Sequence, residues 1–158
     1  VGQVESAVTA LLVAYTERID AGDFEGLADL LAGAELTFEG QPGSVHGRDA
    51  IAALYAGTTR RYPDGTPRTK HLVTNVVVEP DGEDRASARS YFTVLQAVEG
   101  ALPLQPVVAG RYRDRFARTG DTWAFTARHI AVDLVGDVRH HLLIDLGHDG
   151  AGDAKLTG

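Results

Sequence analysis

The sequence has 158 residues, 44% hydrophobic and 23% charged, a balance that suits one globular domain and excludes a disordered or fibrous chain. It holds no cysteine, so disulfide frameworks, thiolate metal sites and cysteine nucleophiles are excluded. A formal net charge of -7 argues against indiscriminate binding to nucleic acid or to an anionic membrane and favours a small-molecule or protein partner.

In chain order, Val4, Val8, Leu11, Leu12, Tyr15 and Ile19 recur at helical spacing and predict a helix from about Gln3 to Ile19. Ala21 and Gly22 interrupt it. Asp23 is placed to cap a second helix whose buried side is Phe24, Leu27, Leu30 and Leu31. Ala34 to Glu39 alternates Leu36 and Phe38 with polar residues, the pattern of a short half-exposed strand, and a glycine and proline turn follows. Ile51, Leu54 and Tyr55 mark a third helix over about Arg48 to Arg60, closed by Pro63, Asp64 and Gly65.

From Arg68 to Val135 the sequence reads as four long strands, parted by turns at Pro80 to Gly82, Gly100 to Pro103 and Thr119 to Asp121. The expectation is a single α+β domain over residues 1–146. Three N-terminal helices would pack against a curved antiparallel or mixed sheet, with a pocket between the layers. Residues 147–158, rich in glycine and aspartate, are expected to form a flexible tail. The longest apolar runs, Val76 to Val78 and Leu142 to Ile144, fall far short of the roughly 20 residues that span a bilayer. A soluble, cytoplasmic protein is expected.

Several stretches carry a family likeness: Tyr15 and Asp20 on the first helix, Arg68-Thr69-Lys70-His71-Leu72-Val73-Thr74-Asn75, Gly110 to Phe116, and Trp123 followed by Arg128. Together they resemble the SnoaL-like branch of the nuclear-transport-factor-2-like superfamily, over roughly Val4 to Leu143. That branch includes scytalone dehydratase, a hexachlorocyclohexane dehydrochlorinase, a bile-acid dehydratase and polyketide cyclases. The resemblance implies a cone-shaped, cystatin-like α+β barrel, commonly a homodimer or homotrimer. It does not by itself fix a reaction, because one fold hosts many functions.

In the dehydratase and dehydrochlorinase relatives an aspartate after the first helix orients a histidine base, and the matching positions here are Asp20 and His71. The pairing makes chemical sense, since a carboxylate on one imidazole nitrogen fixes the tautomer and frees the other as a base. No cofactor is called for. Asp20 also reads as a solvated helix-end residue, although a negative charge there opposes the helix dipole at a cost of about 0.3 to 1 kcal/mol and invites a partner. His71 also reads as a strand histidine facing water beside Lys70.

Strand alternation puts Val73, Asn75 and Val77 on the face of His71, so Asn75 is a candidate to hydrogen-bond a substrate oxygen or simply neighbouring backbone. Tyr15 matches a tyrosine of the bile-acid dehydratase motif and would bind a developing oxyanion, or else be core with only its hydroxyl on a polar atom. On the last strand Trp123, Phe125, Ala127 and His129 would share one face and Ala124, Thr126, Arg128 and Ile130 the other. Arg128 is the nearest match to an arginine that contacts substrate in relatives, or is a surface or interface residue. Arg111 stands where scytalone dehydratase has a second active-site histidine, a departure that argues against that enzyme's own reaction.

Arg111, Arg113 and Arg115 alternate with Tyr112, Asp114 and Phe116 and read as partners in salt bridges to neighbouring strands rather than as a nucleic-acid contact. His140 and His141 are adjacent, not spaced as metal ligands, and no metal site is assigned. Gly147, Gly150 and Gly152 lack the context of a dinucleotide fingerprint. Packing of Phe38, Leu54, Tyr55, Tyr91, Phe92 and Tyr112 would set the pocket's size. The expected function is a cofactor-independent lyase or isomerase of dehydratase or cyclase type acting on an apolar cyclic small molecule. The alternative is a non-catalytic small-molecule-binding protein, or an oligomeric accessory subunit, of the same fold.

Overall fold

In the computed structural model, which describes residues 2–146, the N-terminal apolar stripe forms α1 (Gln3–Asp20). It buries Val8, Leu12, Tyr15 and Ile19, while Val4 and Leu11 sit half-buried at the stripe's margin. The chain then reverses at Gly22, whose φ is +71°. A Cβ there would lie 1.9 Å from the Gly65 carbonyl oxygen, so only glycine fits so close to that backbone. The Asp23 side chain accepts a hydrogen bond from the Gly26 N–H at 2.9 Å and caps α2 (Phe24–Leu30).

The remaining elements are β1 (Glu35–Phe38), β2 (Val45–His46), α3 (Arg48–Thr58), β3 (Thr69–Pro80), β4 (Arg85–Val98), β5 (Leu102–Thr119) and β6 (Thr122–Val135). The four long strands follow the expected order. The short β2 falls in what reads from sequence as part of a turn, because two residues are too few to show alternation. One six-stranded sheet results, in the order β2-β1-β6-β5-β4-β3. It is mixed: β1 runs parallel to β6, and every other neighbouring pair is antiparallel. The sheet does not close.

The helices cover the sheet's inner face, α1 along β3 and against β6, with α2 touching both α1 and α3. Between the layers lie Phe92, Tyr112, Phe116 and Phe125, each at most 5% exposed. Phe92 stacks on Tyr112 at 4.6 Å, and Tyr15 meets Tyr112 edge to face at 5.8 Å. Gly110 permits this packing. A Cβ there would sit 2.0 Å from the Ala131 carbonyl oxygen and 2.7 Å from the Phe92 ring.

Two bulges decide which side chains point inward. In β3 the register against β4 shifts between Thr74 and Val77, and Asn75 takes a positive φ of 54°. Asn75 is therefore exposed, off the face of His71, which corrects the expectation of simple alternation. In β5 and β6 the register shifts between Arg115 and Phe116. Phe125 and Arg128, expected on opposite faces, are consequently both inside, at 1% and 0% exposure. Tyr91 lies on the outer face at 53% exposure and does not line the interior.

After β6 the chain returns over the C-terminal end of α3. There Leu142 bridges Thr59, the Arg60 N–H donates to the His141 carbonyl at 2.8 Å and the Leu143 N–H to that of Thr58 at 2.9 Å. Among the described residues no helix is long and apolar enough to cross a membrane. The glycine-rich tail over residues 147–158 lies outside the described residues.

Candidate active site

Packing of α1 along β3 brings the last residue of the helix to the first residues of the strand. The Asp20 Oδ1 lies 2.6 Å from the His71 Nδ1, and the Thr69 hydroxyl donates to the same oxygen at 2.8 Å. The other carboxylate oxygen accepts the His71 backbone N–H at 2.8 Å. Both carboxylate oxygens are thus engaged, which fixes the carboxylate and, through it, the imidazole. The side chains are sequestered, His71 at 5% and Asp20 at 10% exposure.

Burial pushes the Asp20 carboxyl up, but the hydrogen bonds and charge of His71, with the Thr69 hydroxyl, outweigh it and hold the group below its ordinary value. It is an anion at neutral pH. In the neutral ring, an Nδ1 held on an anionic acceptor is the protonated nitrogen, and the lone pair is then on Nε2. Nε2 has no hydrogen-bond partner among the described residues.

The other residues singled out in the sequence sit elsewhere. Tyr15 is 2% exposed and shares a 2.8 Å hydrogen bond with the Tyr55 hydroxyl. Burial raises the Tyr55 and Tyr112 phenols well above their ordinary value, so both remain protonated. Arg128 is completely buried, not at the surface. Its Nε and Nη2 donate to the two Asp114 oxygens at 2.8 Å each. Its guanidinium lies between the Tyr15 and Tyr112 rings at 4.0 and 3.9 Å, with Phe125 at 5.0 Å. Burial works against the charge, but the Asp114 carboxylate prevails and raises the pKa. One corner, Nη1, is buried without a partner. No hydrogen bond or ring contact joins Tyr15 or Arg128 to the Asp20 and His71 pair.

Of the three alternating arginines, Arg111 pairs as expected, with Asp133 at 2.8 Å and Glu39 at 3.3 Å. Arg113 and Arg115 form no ion pair with the described residues and are exposed. Arg113 stands directly between Arg89 and His129 across the outer face.

Sequence reasoning weighed His141 only as a metal ligand, beside His140. It is 4% exposed, its ring centroid lies 6.0 Å from that of His71 with the planes at 68°, and its Nδ1 is buried without a partner. An adjacent pair of histidines in an irregular segment carries no periodic signal that would have found it. Among the described residues no cluster of three or more potential metal ligands forms.

A family model described as the SnoaL-like domain matches residues 3–129. The chain belongs to the SnoaL-like family. Its fold recurs in an NTF2-like protein with a cystatin-like fold from Novosphingobium aromaticivorans, 26% identical, with 81% of this chain and 80% of that one covered and a TM-score of 0.66. A candidate scytalone dehydratase from the same bacterium is 20% identical, with 98% and 94% covered and a TM-score of 0.68. The beta subunit of a candidate aromatic-ring-hydroxylating dioxygenase, again from that bacterium, is 20% identical, with 84% and 90% covered and a TM-score of 0.66. At these identities the last two show a shared fold alone. No curated protein matches this SnoaL-like chain.

Proposed function

We propose that this SnoaL-like protein is a cofactor-independent lyase or isomerase, of dehydratase or cyclase type, acting on an apolar cyclic small molecule. The observation that carries the proposal is the 2.6 Å contact between a sequestered Asp20 carboxylate and the His71 Nδ1. His71 acts as general base through Nε2. Asp20 holds the reactive tautomer and stabilises the imidazolium that forms when the proton arrives. Tyr15 and Arg128 are the proposed substrate-binding residues, through the one proton that the Tyr15 and Tyr55 hydroxyl pair does not spend on its own hydrogen bond and through the unpaired Nη1 of Arg128. Asn75 has no part, being exposed at the bulge. The protein works in the cytoplasm as a homodimer or homotrimer.

The test is turnover of a panel of cyclic β-hydroxy ketones, followed by absorbance of the enone product. His71→Ala and Asp20→Asn are each expected to lower kcat by about 10²- to 10⁴-fold, the usual contribution of a positioned acid or base. Full turnover in both variants contradicts the assignment.

A second function, as an oligomeric accessory subunit, is favoured by the outer sheet face. There Tyr91 and Leu72 are 53% and 44% exposed near the unpaired Arg113 and Arg115. A stable complex with a larger catalytic chain, and no turnover by this chain alone, is the result that would select it.

A further inference from the structure

His141 is held as a functional side chain is held. Its own backbone is fixed to the end of α3 through Arg60. The preceding carbonyl, of His140, accepts the Tyr62 hydroxyl at 2.6 Å and the Gln96 side-chain amide at 2.8 Å. Gln96 is itself completely buried and ties the same point to the Pro67 carbonyl at 3.0 Å. The ring so placed has no hydrogen bond to any described residue. A buried polar atom left unpaired costs about 1 to 3 kcal/mol, so for packing alone a leucine would serve better. The ring faces His71 edge to face, and the two imidazoles do not bond each other.

We propose that His141 is a second catalytic residue, a neutral hydrogen-bond donor to the substrate oxygen on which negative charge develops while His71 removes the proton. This rests on the proton-abstraction function proposed above and adds the group that receives the resulting charge. For dehydration of a β-hydroxy ketone, the His71 Nε2 takes the α-proton and the C–H electron pair moves onto the carbonyl oxygen as an enolate, which accepts the His141 hydrogen bond. The enolate pair then returns to re-form the carbonyl and make the new C=C bond as the β C–O bond breaks toward oxygen. The departing oxygen takes that same proton back from Nε2 and leaves as water. His141 keeps its own proton throughout and only donates a hydrogen bond. Burial first, and then the nearby His71, lower the His141 ring to about 4, against the opposing pull of Asp20. The ring is therefore neutral at pH 7, with one N–H to donate, as a polarising imidazole must be.

The probe is 1-naphthol, an apolar bicyclic phenol whose oxygen mimics an enol. It is titrated into protein carrying ¹⁵N-labelled histidine while imidazole resonances and binding are followed. Naphthol is expected to shift both the His71 and the His141 ring nitrogens. In His141→Leu it should bind about three- to tenfold more weakly, the value of one hydrogen bond, with Tm unchanged or raised because an unpaired polar group is gone. His141→Gln, which retains a donor, should recover part of the affinity. If His71 responds and His141 does not, or if His141→Leu binds naphthol as tightly as the native chain, His141 is a packing residue and the inference falls while the role of His71 stands. If neither imidazole responds, the base assignment falls and this inference with it.

Discussion

Asp20 and His141 both make one small region less stable as pH falls, over different pH windows. The folded carboxyl of Asp20 lies below its ordinary value, so its stabilising effect is present above the unfolded value near pH 4 and is lost as pH falls through the lower folded value. The folded imidazole of His141 lies at about 4 against 6.5. Between these values the unfolded chain binds more protons, so stability is complete above pH 6.5 and drains away toward pH 4. Urea unfolding should find the native chain less stable by about 2 kcal/mol at pH 5 than at pH 8. In His141→Leu most of that difference should vanish. Loss of one partner of a buried pair is costlier: Asp114→Asn leaves the Arg128 guanidinium uncompensated and should destabilise by about 3 to 5 kcal/mol in the same assay.

Legibility at this scale was uneven for a physical reason. Asp20 and His71 sit at fixed places on a periodic helix and a strand, so a motif marks them. The burial of His141 depends on where an irregular segment returns, which no local pattern encodes.

The strands show where the logic of elements succeeds and where it stops. Apolar spacing identified α1, and turn residues placed the four long strands to within a few residues, with β5 beginning at Leu102 inside the expected Gly100 to Pro103 turn. Alternation failed at two points, because a bulge adds one residue and inverts every later side chain. Thus Asn75 turned outward, and Phe125 and Arg128 came to share the interior. At a φ of 54° asparagine is tolerated and a β-branched residue is not. Asn75→Gly is expected to leave stability within about 0.5 kcal/mol, whereas Asn75→Val should cost about 1 to 2 kcal/mol. Denaturant midpoints for the two variants check this. Neither should alter turnover, since the side chain faces solvent.

For the molecule as a whole, an open mixed sheet covered on one face by three helices joins residues 51 apart in sequence into one pair. The order of helices and strands was readable because it follows from apolar period and turn chemistry. The pairing of β1 with β6, and the return of residues 136–146 over α3, were not readable, because both are long-range contacts chosen by the packing of the whole. That same packing withdraws Asp20 and His71 from water while leaving one imidazole nitrogen free, the condition for moving a proton between carbon and base. The most direct measurement is exchange of α-protons of 2-tetralone, an enolisable bicyclic ketone, for deuterium in D₂O, followed by NMR. The native protein should accelerate exchange above buffer, with the acceleration abolished in His71→Ala and reduced about a hundredfold or more in Asp20→Asn. Exchange that persists undiminished in His71→Ala, or that the native protein never accelerates, would contradict the account.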